Sequence, residues 1–137
     1  MASLTDILSA LQNGVVAINT LTSKTGGIYN NLAIASLFQG PITTSYTVLY
    51  TSASNAASHI DDILFCNTTG SAITISMSIV APGGTASASN AIFFGLSIPA
   101  NSTLTWTGRI IVPASYTVQA LASGAGLTLT ISGGTSV

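Results

Sequence analysis

Between Ile73 and Ile79 the chain alternates without a fault. Ile73, Ile75, Met77 and Ile79 take the odd positions, and Thr74, Ser76 and Ser78 take the even ones. Successive side chains leave a β-strand on opposite sides, so this period of two marks a strand with one face buried and one wet. The pattern returns in Leu104 and Trp106 against Thr103, Thr105 and Thr107, and in Leu127, Leu129 and Ile131 against Thr128, Thr130 and Ser132. A chain built this way must bury one face of several strands against something apolar.

The strand at Ile73 is preceded by His59–Asn67, to which the turn residues Asn67-Thr68-Thr69-Gly70 join it as a hairpin. From Thr44 onward the pattern predicts strands over Thr44–Thr51, His59–Asn67, Ala72–Val80, Ala91–Ile98, Ser102–Thr107, Arg109–Val112, Tyr116–Ala122 and Leu127–Ser132. Turn signals separate them, among them Pro82-Gly83-Gly84, Pro99–Asn101, Pro113–Ser115 and Ser123–Gly126. Short strands at near-regular spacing indicate two packed antiparallel sheets. The expected fold is therefore mainly β: an antiparallel β-sandwich of about eight strands, of jelly-roll or Greek-key type, with strand order left open.

An α-helical segment is expected ahead of the sandwich, over residues 3 to about 23. Ser3 is a good N-cap, and Asp6 completes a weaker capping box at the positive end of the helix dipole. Leu4, Ile7, Leu8, Leu11, Val15, Ile18 and Leu21 form an apolar stripe, part of which continues in one heptad register to Ile28 and Leu32. Isolated short helices are marginal in water, so this stripe needs a partner. Three remain open: its own domain, copies of itself or a larger assembly, and a membrane surface, although the basic polar face of a membrane-surface helix is missing. Residues 24–43 read as a connector in which Ile28–Phe38 has enough apolar residues for a short second helix. The expected division is 1–40 for helix and linker, serving oligomerisation or anchoring, and 41–137 for the sandwich.

Composition narrows the function. Only Asp6, Lys24, Asp61, Asp62 and Arg109 are charged among 137 residues, whereas soluble domains carry about a quarter charged residues. Hydroxyls replace charges as the polar half of the pattern, with 19 serines and 19 threonines. Two basic residues do not neutralise a row of phosphates, so nucleic acid is not an expected partner. No unbroken apolar run exceeds four residues, far short of the about twenty a spanning helix needs, so no membrane partner is expected. The N-terminus has no signal-peptide pattern, which makes cytoplasmic synthesis the default. With a net charge of −1, little repulsion keeps copies apart. Such a surface suits a protein packed against other subunits.

Chemistry-bearing residues are few. His59, Asp61 and Asp62 share one strand, on which His59 and Asp61 are expected on one face and Asp62 on the other. One strand with no second histidine makes a poor metal site, and neither a metal nor another cofactor is expected. Cys66 lies seven residues from His59, roughly 20 Å along an extended strand, too far for a nucleophile–base pair; it is expected in the core. No Gly-x-Ser-x-Gly elbow or phosphate-binding loop ending occurs. The expectation is no catalytic residue and no enzyme. Arg109 is placed for an ion pair with an aspartate or a contact with Trp106. Trp106, Tyr46, Tyr50 and Tyr116 are the aromatics available to a sugar platform.

The run Ile60-Asp61-Asp62-Ile63-Leu64-Phe65-Cys66-Asn67-Thr68-Thr69-Gly70 is followed by Leu96-Ser97-Ile98-Pro99-Ala100-Asn101-Ser102-Thr103-Leu104, then by Ile110-Ile111-Val112-Pro113. Over residues 44 to 133 this resembles the small β-sandwich virion proteins of tailed bacteriophages: capsid decoration (cement) proteins, head fibres and tail components. The resemblance implies a non-enzymatic virion protein, assembled in the host cytoplasm, that binds and stabilises the head shell. Its implied partners are itself, as a homo-oligomer with a trimer favoured, and the major capsid or other virion proteins. A tail-fibre or tail-tip subunit is the alternative, and a carbohydrate-binding adhesion module with a host glycan is a second. The alternation itself is testable: Ile75→Asp is expected to abolish folding, monitored by circular dichroism, because it buries an unpaired charge. Ser76→Asp on the opposite face is expected to fold.

Overall fold

Ser3 opens the first element of the computed structural model, which describes residues 3–14 and 33–135. The Asp6 amide donates to Ser3 Oγ at 3.1 Å, and the Ser3 amide donates to Asp6 Oδ2 at 3.1 Å. Both halves of the capping box are thus made, with aspartate in the role usual for glutamate. Helix α1 follows over residues 4–14. The expected continuation to residue 23, and with it Val15, Ile18 and Leu21, lies outside the described residues. The chain divides into two compact units, Met1–Leu32 with Val137, and Ala33–Ser136.

The second unit is an eight-stranded sandwich: β1 (Ala33–Pro41), β2 (Thr47–Thr51), β3 (Ser58–Asn67), β4 (Ile73–Val80), β5 (Ala91–Ile98), β6 (Ser102–Val112), β7 (Thr117–Ala122) and β8 (Leu127–Thr135). The first sheet runs β1-β8-β3-β6 and the second β2-β7-β4-β5, with every neighbouring pair antiparallel. Pairing of β1 with β8, β2 with β7, β3 with β6 and β4 with β5 describes one long two-stranded ribbon folded back at the β4–β5 loop. Added β3–β8 and β4–β7 pairing rolls that ribbon into two sheets. This is the connectivity of a jelly roll.

Three expectations change. β3 and β4, expected to form a hairpin through Asn67-Thr68-Thr69-Gly70, do not pair: the turn carries the chain from the first sheet to the second. Ala33–Pro41 falls on the stretch read as connector and short helix, yet it is a strand paired with β8 from Ala33↔Thr135 to Pro41↔Thr128. Its register shifts between Ser36 and Phe38, so Leu37 and Phe38 both pack against the core although adjacent. That bulge hides the period of two. Ser102–Thr107 and Arg109–Val112, expected as separate strands, are one strand carried through Gly108.

The core is the alternation made solid. Ile60, Ile63 and Phe65 of β3, Leu129 and Ile131 of β8, and Ile75 and Met77 of β4 are fully buried, with Val118 and Ala120 of β7. Phe65 meets Phe93 edge-on at 5.6 Å and 89°, and Phe93 meets Trp106 at 5.9 Å and 77°. These contacts tie β5 of one sheet to β3 and β6 of the other, each adding about 0.5–1.5 kcal/mol beyond burial. Ser78, expected on the wet face of β4, is fully buried instead. Its hydroxyl donates to the Ser87 carbonyl at 3.3 Å in the loop that crosses outside it. Tyr50 of β2 and Ser52 just after it meet the Ser58 hydroxyl of the first sheet at 2.7 and 3.0 Å.

Four loops meet at one end of the sandwich, and Asn67 ties two of them together. Its side-chain amide is shared among the carbonyls of Ser71 at 2.8 Å, Ile98 at 3.1 Å and Pro99 at 3.1 Å. Its Oδ1 accepts from the Thr69 amide at 2.9 Å and the Thr69 hydroxyl at 2.8 Å. Around it Thr68 N donates to Gly126 O, Asn101 N to Thr69 O and Ala122 N to Thr43 O. Gly126 has φ +105, and a Cβ there would run into the Thr69 methyl, so only glycine fits this turn.

Asn67→Ala leaves the Thr69 amide and up to two carbonyls without their side-chain partner, since the Ser71 carbonyl keeps the Thr69 hydroxyl, so it is expected to cost about 3 kcal/mol. Urea unfolding checks it, with the midpoint falling at an unchanged slope. Asn67→Asp is expected to cost more at neutral pH, because an ionised oxygen would face the three carbonyls.

Candidate functional site

The histidine, two of the aspartates and the arginine meet at a bulge in the middle of the first sheet. Against β8, Ile60 pairs with Gly133 and Asp62 with the next residue, Ser132, so Asp61 is an extra residue on β3. Against β6, Ile60 pairs with Ile110 and Asp62 with Thr107, which leaves Asp61 facing Gly108 and Arg109. A bulge breaks the alternation of side chains. Ile60 and Ile63 both point into the core, so their neighbours His59 and Asp62 share the outer face. The expected opposition of Asp62 to His59 is thereby corrected.

The bulge also aims the charges. His59 Nε2 lies 3.2 Å from Asp61 Oδ2, and Arg109 Nε lies 3.5 Å from Asp61 Oδ1. The arginine–aspartate pair expected from the sequence is formed. Arg109 is 65% exposed and Asp61 37%, with His59 at 11%. An ion pair this open to water contributes about 0–1 kcal/mol. Among the described residues no group of three or more His, Cys, Asp or Glu side chains is arranged to hold a metal ion.

Cys66 departs from expectation. It is half-buried rather than in the core, because the inward positions of β3 beside it belong to Phe65 and Asn67. It lies on the outer face, opposite Thr103 of β6 and Thr128 of β8. His59 sits near the other end of β3, so the strand separates the two as its length requires.

The aromatics are committed to packing. Tyr50, Tyr116 and Trp106 lie half-buried against the core, and the Tyr50 hydroxyl is bonded to Ser58. Tyr46 is half-buried as well. Among the described residues the exposed ring is Phe94, on β5.

Helix α1 presents the other arrangement with functional content. Leu4, Ile7, Leu8 and Leu11 are 81%, 49%, 53% and 62% exposed. Their i, i+3, i+4, i+7 spacing places them on one stripe. Sequence reasoning did not single out the exposed apolar side chains of the sandwich: Ile34, Val48, Leu64, Phe94, Leu104 and Ile111. Five of them lie on the edge strands β1, β2, β5 and β6, which only the strand order identifies, while Leu64 faces outward from the interior strand β3 between buried Ile63 and Phe65.

No protein-family model matches the chain, and neither does any curated protein sequence. Among solved structures it is similar to a chain of infectious bursal disease virus, Gx strain, with 12% identity and a TM-score of 0.44 over 76% of this chain and 32% of that one. A chain of the T13 viral particle of the same virus has 10% identity and a TM-score of 0.43, over 77% and 30%. The Gt strain gives 11% and 0.42, over 76% and 30%. This chain therefore spans about a third of the length of those it resembles.

If the His59–Asp61–Arg109 group is only a surface ion pair at a bulge, removing its charge changes little. Asp61→Asn and Arg109→Ala are each expected to shift unfolding free energy by less than about 1 kcal/mol. Thermal and urea denaturation at moderate salt measure this, and a loss several times larger would assign the group a greater role.

Proposed function

We propose that this chain is a non-enzymatic structural protein of a virion, and specifically a tailed-phage capsid decoration (cement) protein that binds and stabilises the head shell. The observation that carries the proposal is the exposed apolar stripe of α1. Four large side chains at helical spacing stand in water in the single chain, so the segment gains stability when a protein surface covers them. We assign the segment ahead of β1 the anchoring and oligomerising role, with Leu4, Ile7, Leu8, Leu11, Val15, Ile18 and Leu21 forming the contact and a trimer the favoured assembly; residues 33–40, first grouped with it, belong to the sandwich.

Two features support the same reading. The sandwich has jelly-roll connectivity, a fold that serves capsid domains and lectins alike. Fold alone does not choose between those uses. The aromatics a sugar platform would need are half-buried in packing, which speaks against the lectin use. The near absence of charge suits a subunit held by contacts repeated through symmetry. The working location is then the virion, after assembly in the host cytoplasm.

The test is a binding assay of purified full-length chain on particles that lack it, with bound copies counted by quantitative mass spectrometry. A copy number in step with the capsid subunits is expected. Leu8→Asp combined with Leu11→Asp should lower occupancy at least about tenfold, since two buried side chains are worth about 3 kcal/mol or more, while the β-sheet signal in circular dichroism stays. Unchanged occupancy would remove the helix from the interface, and binding only to tails would replace the decoration role with the tail-subunit one.

A further inference from the structure

A two-sheet sandwich has four edge strands, and each exposes backbone groups that a foreign strand can pair with. Here the edges are β1 and β6 of the first sheet and β2 and β5 of the second. Three are broken into paired runs of four residues or fewer. β1 shifts register between Ser36 and Phe38, splitting its pairing into two runs of four residues. β2 has five residues and shifts between Val48 and Tyr50. β5 shifts twice, with Gly95 at φ +64 inside it. Bulges and short strands of this kind are how soluble proteins blunt an edge.

β6 is built differently. Its register also shifts once, between Thr107 and Ile110, but ahead of that shift Ser102–Thr107 pairs residue for residue with Asn67–Asp62 of β3, six consecutive pairs. That run carries no proline, glycine or charge. The single charge on the strand, Arg109, lies beyond it and is engaged by Asp61. Three edges are interrupted along their length, and the fourth is straight over Ser102–Thr107.

The sequence of that edge is nearly symmetric. Thr103-Leu104-Thr105-Trp106-Thr107 reads as threonine, apolar, threonine, apolar, threonine in either direction. An antiparallel pair of identical strands with its two-fold axis at Thr105 sets Thr103 opposite Thr107 of the other copy, Thr105 opposite itself, and Leu104 opposite Trp106. Threonine pairs and apolar pairs directly across an antiparallel ladder are both favourable. A slip of one residue would set the apolar row of one copy against the threonine row of the other. No like charges meet, because Arg109 falls opposite Asn101.

The inner face has the matching deficit. Leu104 pairs with Phe65 and Trp106 with Ile63, so both belong to the core side of the sheet. Leu104 is nonetheless 36% exposed, and Trp106 is half-buried, because the sheet ends at β6. The Trp106 ring folds back over Gly108, whose added Cβ would come within 2.6 Å of Cζ2. It stays tucked along its own strand and leaves the edge open to a neighbour.

From these observations we infer that two copies of this chain pair through β6, antiparallel about an axis at Thr105, joining their first sheets into one continuous sheet. The contact is isologous and closes on itself. It is separate from the stripe of α1 and does not rest on the virion reading.

The experiment uses the full chain carrying Leu8→Asp, so that helix contacts do not contribute, and Cys66→Ser, so that a single engineered thiol is present. Thr105→Cys with a short thiol-reactive cross-linker is expected to give a covalent dimer on a denaturing gel. Val48→Cys, exposed on the interrupted β2 edge, is expected to stay monomeric. In parallel, Thr105→Lys in the Leu8→Asp chain sets two lysines across the axis and is expected to weaken self-association about fivefold or more in sedimentation velocity. The proposal is overturned if Thr105→Cys cross-links no better than Val48→Cys. It is equally overturned if Thr105→Lys, folded by circular dichroism, leaves association unchanged, or if the edge is covered only when a strand from another protein is added.

Discussion

A primary amide taken out of water costs several kcal/mol unless its donors and its acceptor all find partners, and Asn67 sits at 1% exposure where four loops converge. It meets that demand by binding backbone from its own turn and from the β5–β6 loop about thirty residues away. The consequence reaches beyond the turn. Rolling a two-stranded ribbon into a jelly roll needs the β3–β4 and β5–β6 connections to meet, and no hydrophobic contact specifies that meeting as sharply as a set of directed bonds. Among the described residues no buried side-chain polar atom is left without a partner, so the polar network is complete in the sense that lets it specify structure.

The strands on either side of this residue were legible for a simple reason, although the hairpin expected between them is not formed, since β3 lies in one sheet and β4 in the other. Period-two burial is local, so Ile73, Ile75 and Met77 declare their face without reference to the rest of the chain, and they are buried as read. Bulges are what local reading misses. One at Leu37-Phe38 disguised β1 as helix, and one at Asp61 turned Asp62 to the face of His59. Both insert a residue whose only signal is the partner strand's count, and that count is known once pairing is known. Ser78 and Cys66 make the same point about burial. Loop coverage buries the first, and a crowded inner face displaces the second outward.

The functional groups divide along the same line. The Asp61–Arg109 pair was readable because opposite charges are so scarce here that few pairings exist. The apolar stripe of α1 was readable because helix period is also local, and the capping box fixes where it starts. The β6 edge was not readable. Its threonine–apolar alternation looks like that of any half-buried strand until the sheet order places it at a margin.

That margin brings the composition back into the argument. Charged side chains on an edge are the usual guard against pairing with other chains, and this protein has almost none to spend. Its remaining guards are geometric: bulges on β1 and β5, and brevity and a register shift on β2. A surface of serine and threonine satisfies water but repels nothing, so a chain of this composition stays discrete only where its backbone is bent out of register. Leaving Ser102–Thr107 straight is therefore a stronger statement here than it would be in a highly charged protein. In a chain whose edges are guarded mainly by shape, the longest regular run of edge is where shape invites a second copy.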